Sequence, residues 1–193
     1  FSVMVHEIAH GAVAYYLGDD TAYRMGRLTL NPLKHLDPFG SIILPAILSI
    51  PLLFGARPII VGWAKPVPYN PHNLKNPRSG AGIIALAGPA SNIILAIVFA
   101  ILLRLAGGEA LSIAFQLIII INLMLAIFNL VPIPPLDGSK IVAALLPARY
   151  RLVNEFLERN SFLLIILFIL FGLSLVQGVV SILYAALITL VGV

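Results

Sequence analysis

Near the start of the chain, two histidines and a glutamate fall within a five-residue run: His6-Glu7-Ile8-Ala9-His10. On a helix, positions i and i+4 share one face. Two imidazoles at that spacing can bind one metal ion, and the adjacent Glu7 can take a proton from water. The flanking residues are apolar, and ionisable groups inside an apolar helix are costly and mark function. A catalytic zinc needs a third protein ligand and an open position. Zero Cys excludes thiolate ligands, cysteine catalysis and a disulfide scaffold. Asp19, Asp20, Asp37, Glu109, Glu155 and Glu158 read as solvated charges in polar stretches, and His35 and His72 as non-ligands. Asp137 is different. It ends the run Asn129-Leu-Val-Pro-Ile-Pro-Pro-Leu-Asp-Gly138, whose prolines cannot continue a helix. Irregular backbone at membrane depth survives only where it is buried in protein or lines a watery cavity. Asp137 is the expected third ligand; the alternative is an N-cap for a helix over 138–146.

Three motifs now stand in order: H-E-x-x-H, Gly88-Pro-x-x-Asn92, and N-x-x-P-x-P-x-L-D-G over 129–138. Together they resemble the site-2 protease family, membrane-embedded zinc metalloproteases that cleave within membranes. The resemblance covers nearly the whole chain, and residues 31–40 and 62–71 are similar to compact prokaryotic members without a PDZ or CBS domain. It implies one zinc ion on His6, His10 and Asp137, with Glu7 activating water. Asn92 and Asn129 match positions linked to substrate binding or active-site polarity. Read from its own residues, Asn92 is either an interhelical hydrogen-bonding residue or a donor to substrate. Asn122 reads as interhelical packing, as do Gly88 and Pro89. The family usually carries a helix before the first motif, so an earlier helix is expected.

The elements that position these residues follow from composition. Of 193 residues, 60% are hydrophobic and 10% charged. A soluble domain carries about 25% charge. These proportions exclude disorder and indicate a polytopic membrane protein. The net charge of +4 does not point to nucleic acid, because the basic residues lie between apolar runs with no aromatic-interleaved stripe. Charge-free stretches at 38–56, 79–103, 110–136 and 160–193 are long enough to enter a bilayer. The last is too long for one crossing, with a break expected between Gly172 and Gly178. Residues 1–17 read as part of a span, ended by Gly18. About four to six membrane segments are expected in one domain over 1–193, with 38–56 re-entrant.

Short β elements are expected beside this all-α core. Residues 24–30 suit a strand or hairpin. The β-branched, proline-punctuated run 57–69 suits an extended segment or edge strand. Its part Trp63–Tyr69, with Trp63, Ala64 and Lys65 as the candidate binding residues, is a candidate substrate-binding edge, by strand addition, or else an interfacial aromatic belt. Basic residues set the orientation. Eleven fall on one side and Arg104 alone on the other, so the richer side is expected to be cytoplasmic. His10 lies about 12 Å from the end of its helix at 1.5 Å per residue, which puts the site nearer that face.

The expected function is therefore a zinc endopeptidase acting on transmembrane segments, with single-span proteins as substrates and a prokaryotic cytoplasmic membrane as its location. The rivals are a zinc or proton transporter and a catalytically silent scaffold. The complete ligand set and the presence of Glu7 favour hydrolysis.

Overall fold

The computed structural model describes residues 1–55 and 62–192. Its helices in chain order are α1 (Ser2–Tyr16), α2 (Thr21–Arg24), α3 (Leu44–Ser49), α4 (Pro77–Arg104), α5 (Glu109–Asn129), α6 (Asp137–Leu145), α7 (Arg151–Arg159), α8 (Ser161–Phe171) and α9 (Leu173–Val191). Three of them, α4, α5 and α9, are long and apolar enough to cross a membrane. Helix α8 and the run Pro38–Phe54 are shorter apolar helical segments.

Local chemistry sets most boundaries. Helix α1 stops where Gly18 takes a left-handed φ of +105°, and the Asp19 N–H closes back on the Ala14 carbonyl at 2.9 Å. Glycine adopts that conformation without the Cβ penalty. Helix α4 begins at Pro77, whose missing N–H costs nothing in a first turn. The link between α4 and α5 spans only residues 105–108, which makes the two helices antiparallel neighbours. The long apolar tail breaks at Gly172, between α8 and α9, whereas Gly178 lies within α9.

Helix α4 is the spine. It meets α1, α6, α5 and α9. Small residues allow the first contacts: a Cβ on Gly82 would sit 2.5 Å from the Ala144 side chain on α6. In lipid, where apolar burial gives little drive, such close packing holds helices together. The second half carries Ala96, Ala100 and Leu103, buried against Ile119, Leu123, Val176 and Val180.

The expected β elements are not there: no strand occurs among the described residues. In the 24–30 region, α2 takes the chain to Arg24, and Gly26 then reverses it with φ +62°. Arg27 turns back to Ala22 through its N–H and donates its guanidinium to the Lys34 carbonyl. In the 57–69 run, residues 57–61 lie outside the described residues. From 62 to 70 the chain is irregular, because its pairing groups are already spent. The Trp63 N–H donates to the Gly40 carbonyl at 3.2 Å and the Lys65 N–H to the His35 carbonyl at 2.8 Å. The Trp63 carbonyl accepts from Ser41 Oγ at 2.8 Å. Pro66 and Pro68 have no N–H to offer. The expected four to six membrane segments likewise reduce to three helices of spanning length among the described residues, with the two shorter apolar segments beside them.

Candidate metal centre and active site

His6 and His10 project from one face of α1 towards α4 and α6. Their rings meet edge to face with centroids 4.6 Å apart. His6 Nδ1 lies 2.7 Å from Asn92 Oδ1, and His10 Nδ1 lies 2.6 Å from the Ile84 carbonyl. A carbonyl oxygen only accepts, so Nδ1 carries the proton in both rings. Both Nε2 atoms are then bare lone pairs, and they face each other at 3.0 Å. Asp137 Oδ2 lies 3.2 Å from each. That oxygen is buried with no hydrogen-bond partner. Three electron pairs converging without a proton repel one another, and a cation among them removes the conflict. The donor set therefore fits a metal ion, and these three residues form the one group of that kind among the described residues.

Each ligand is placed by a local cause. Gly88 on α4 has no side chain because the imidazoles occupy its space: a Cβ there would lie 2.5 Å from His10 Nε2 and from His6 Cε1. Pro89 has no N–H to offer the Ala85 carbonyl, and one residue earlier the Ile84 carbonyl receives His10. Asp137 is the first residue of α6, directly after the proline-broken run. Gly138 lets that run approach, since a Cβ there would strike the Leu130 and Val131 carbonyls.

Glu7 lies on the same helix turn. Its Oε2 accepts the Val67 N–H at 2.7 Å, so the irregular 62–70 segment holds the carboxylate in place. That segment is itself anchored by Asp19, which is fully buried. Asp19 accepts from the Asn70 N–H at 2.7 Å, from Asn73 Nδ2 at 2.7 Å and from the Thr21 hydroxyl at 2.5 Å. Burial pushes its pKa up, and these hydrogen bonds outweigh that and hold the carboxyl below its ordinary value.

A cavity of about 170 Å³ opens on the group, lined by His6, Glu7, His10 and Asp137 together with Asn129, Tyr69 and Lys140. Asn129 ends α5 and donates to the Leu125 carbonyl at 3.0 Å. Asn92 is fully buried, and its amide is spent on His6, Asn122 and the Ser2 carbonyl. It thus supports a histidine and does not line the cavity. Trp63 is half exposed and stacks near Phe39, with centroids 5.9 Å apart. Ala64 lines a separate apolar groove of about 480 Å³ beside Met4 and Leu36. Lys65 is tied to His35 through its backbone. None of residues 63–65 lines the cavity at the histidines, whereas Pro66, Val67 and Tyr69 of the same expected edge do.

Sequence reasoning passed over several residues here. Asp19 and His35 read as polar-loop residues, yet both are buried. Lys140 carried no motif. For Asp19 a signal existed: it directly follows the glycine that ends α1, where a chain returning over the helix end can bury it.

Comparison with known proteins shows the family. Residues 105–173 match peptidase family M50. The Bacillus subtilis protein named "Putative zinc metalloprotease YwhC" is 41% identical over 180 residues, which span 88% of this chain and 76% of that protein. The chain belongs to peptidase family M50, the site-2 proteases. Two further relatives of the family bear zinc metalloprotease names. Rip2 of Mycolicibacterium smegmatis is 31% identical over 140 residues, 71% of this chain and 51% of its own length. MJ0611 of Methanocaldococcus jannaschii is 35% identical over 138 residues, 71% of this chain and 62% of its own length. No solved structure matches. Family membership and three helices of spanning length make this a membrane protein.

Proposed function

We propose that the protein is a zinc endopeptidase that hydrolyses peptide bonds within or near transmembrane segments of membrane proteins. The observation that carries this reading is the convergence of two bare imidazole nitrogens and an unpartnered carboxylate oxygen, with Glu7 held beside them. His6, His10 and Asp137 would hold the ion. Bound zinc supplies Lewis acidity, making water nucleophilic near neutral pH and polarising a carbonyl. Glu7 takes the proton from the attacking water as its oxygen bonds to the scissile carbonyl carbon. Glu7 then returns that proton to the leaving nitrogen as the C–N bond breaks. The Val67 N–H holds one Glu7 oxygen and leaves the other to carry the proton. Asn129 faces the cavity and is suited to receive substrate backbone. Substrates are single-span or other membrane proteins, and the eleven-to-one basic asymmetry supports a site nearer the cytoplasmic face of a prokaryotic cytoplasmic membrane.

The test uses purified protein with candidate single-span substrates, with and without a zinc chelator, and with Glu7→Gln as control. Cleavage that zinc restores and Glu7→Gln abolishes is the expected result. Zinc flux across liposomes without cleavage would turn the reading to a transporter. Zinc binding with neither flux nor cleavage would turn it to a scaffold.

A further inference from the structure

We propose that Asn122, on a helix that contributes no ligand, is a positioning residue for the metal centre: through Asn92 it determines which nitrogen of His6 carries the proton. This rests on the metal-centre reading above. The chain of bonds begins at a group that can only accept. Asn122 Nδ2 donates to the Ile118 carbonyl at 2.8 Å and to Ser2 Oγ at 2.9 Å. With its amino end so fixed, Asn122 must present its oxygen to Asn92, whose Nδ2 lies 2.9 Å away. The Asn92 amino group also reaches the Ser2 carbonyl at 3.3 Å, a second group that cannot donate. Asn92 must therefore turn its oxygen to His6. His6 answers by donating from Nδ1, and Nε2 is left bare for the metal.

An amide's nitrogen and oxygen are interchangeable in shape, so packing alone cannot choose between its two orientations. The two backbone carbonyls choose. If Asn92 were reversed, its amino group would face His6. Nδ1 would then accept, Nε2 would carry the proton, and the ligand atom would be blocked. Asn92 and Asn122 are both fully buried, so bulk water does not compete for these bonds. Partners behind a metal ligand fix its tautomer and orientation in this way, and losing one costs about 10–100-fold in metal affinity.

The four histidines of the chain make the proton directly observable by ¹⁵N-histidine NMR of the metal-free protein in detergent. In a neutral imidazole one ring nitrogen carries the proton and the other does not, so the two tautomers are distinguishable. Wild type should show His6 as the Nδ1–H tautomer. Asn122→Leu should mix in the Nε2–H form and weaken zinc binding about 10–100-fold. Asn122→Ser, whose hydroxyl is too short to reach Asn92, should act in the same direction with a smaller packing change and stands in if the leucine variant does not fold. Adding Asn92→Asp to the Asn122 variant gives His6 an acceptor that needs no orienting, so tautomer and zinc affinity should return. An Asn122 variant that leaves both the His6 tautomer and zinc affinity unchanged overturns the proposal, and so does failure of Asn92→Asp to restore them. A wild type that shows the Nδ1–H tautomer but binds no zinc would refute the metal centre and the proposal's metal role, while upholding the hydrogen-bond chain.

Discussion

The two halves of α4 solve different problems. Residues 77–92 carry Gly80, Gly82, Gly88, Pro89 and Asn92; they meet α1 and α6 around the metal group and reach α5 through the Asn92–Asn122 bond. Residues 93–104 carry Ala96, Ala100 and Leu103, and they meet α5 and α9 with apolar contacts. In the first half each partner is specified atom by atom, through hydrogen bonds and missing side chains. In the second half close packing suffices, and any side chain of the right shape serves. Function is concentrated where the helix gives up ordinary packing: a glycine makes room for imidazoles, and a backbone carbonyl receives one of them.

Substitutions around each half can break or sharpen this contrast. Glu7→Gln should give the largest effect, lowering the cleavage rate by about 10²–10⁴-fold with zinc content unchanged, since the amide cannot take the proton. Rate and metal content measured on the same sample check this. Loss of zinc would mean that Glu7 is a ligand. Against the apolar half, Ile119→Ala on α5 should cost about 2–5 kcal/mol of stability, seen as a lower unfolding temperature in detergent, while zinc affinity of the folded protein stays unchanged. A fall in zinc affinity equal to that of the polar-half variants would erase the distinction between the halves.

Gly88→Ala reverses the signature of Ile119→Ala. A single methyl would press on both imidazoles, so zinc affinity should fall about tenfold or more, with little change in unfolding temperature of the metal-free protein. Calorimetric zinc titration decides it.

The smallest effect is expected at Asp19→Asn, about 1–2 kcal/mol at neutral pH, because bonds to a charged acceptor become bonds to a neutral one. The sign with pH follows from the lowered folded-state pKa. The wild-type advantage is present above the unfolded value of 3.8 and is lost as pH falls through the folded value. Unfolding of both proteins from pH 7 down to 3 measures the gap, and a gap that widens on acidification would contradict the assignment.

Much of the site was legible in the sequence because it rests on short-range rules. The i, i+4 spacing puts His6 and His10 on one face of any helix. Prolines at 132, 134 and 135 end α5 wherever they stand and leave Asp137 at the start of the next helix. The spanning helices are similarly forced, since lipid offers no partner to an unpaired backbone group. The β elements were misread for a related reason. The extended run at 62–70 has the composition of a strand, but a strand requires a neighbour. The groups that reach its N–H atoms are the Gly40 and His35 carbonyls and the Glu7 and Asp19 carboxylates, none of which belongs to a strand.

Residue types, helix faces and helix ends were determined by the sequence alone. Which buried polar atom faces which was decided by the tertiary structure. Asp19 looked solvated until the 70–73 turn closed over it. Asn92 could have faced substrate, and it faces His6, 86 positions away along the chain. A hydrogen bond depends on direction and on fractions of an ångström, and no periodicity along the chain encodes those across such a separation. They are fixed only when α1, α4 and α5 pack together and each donor must find its acceptor without water.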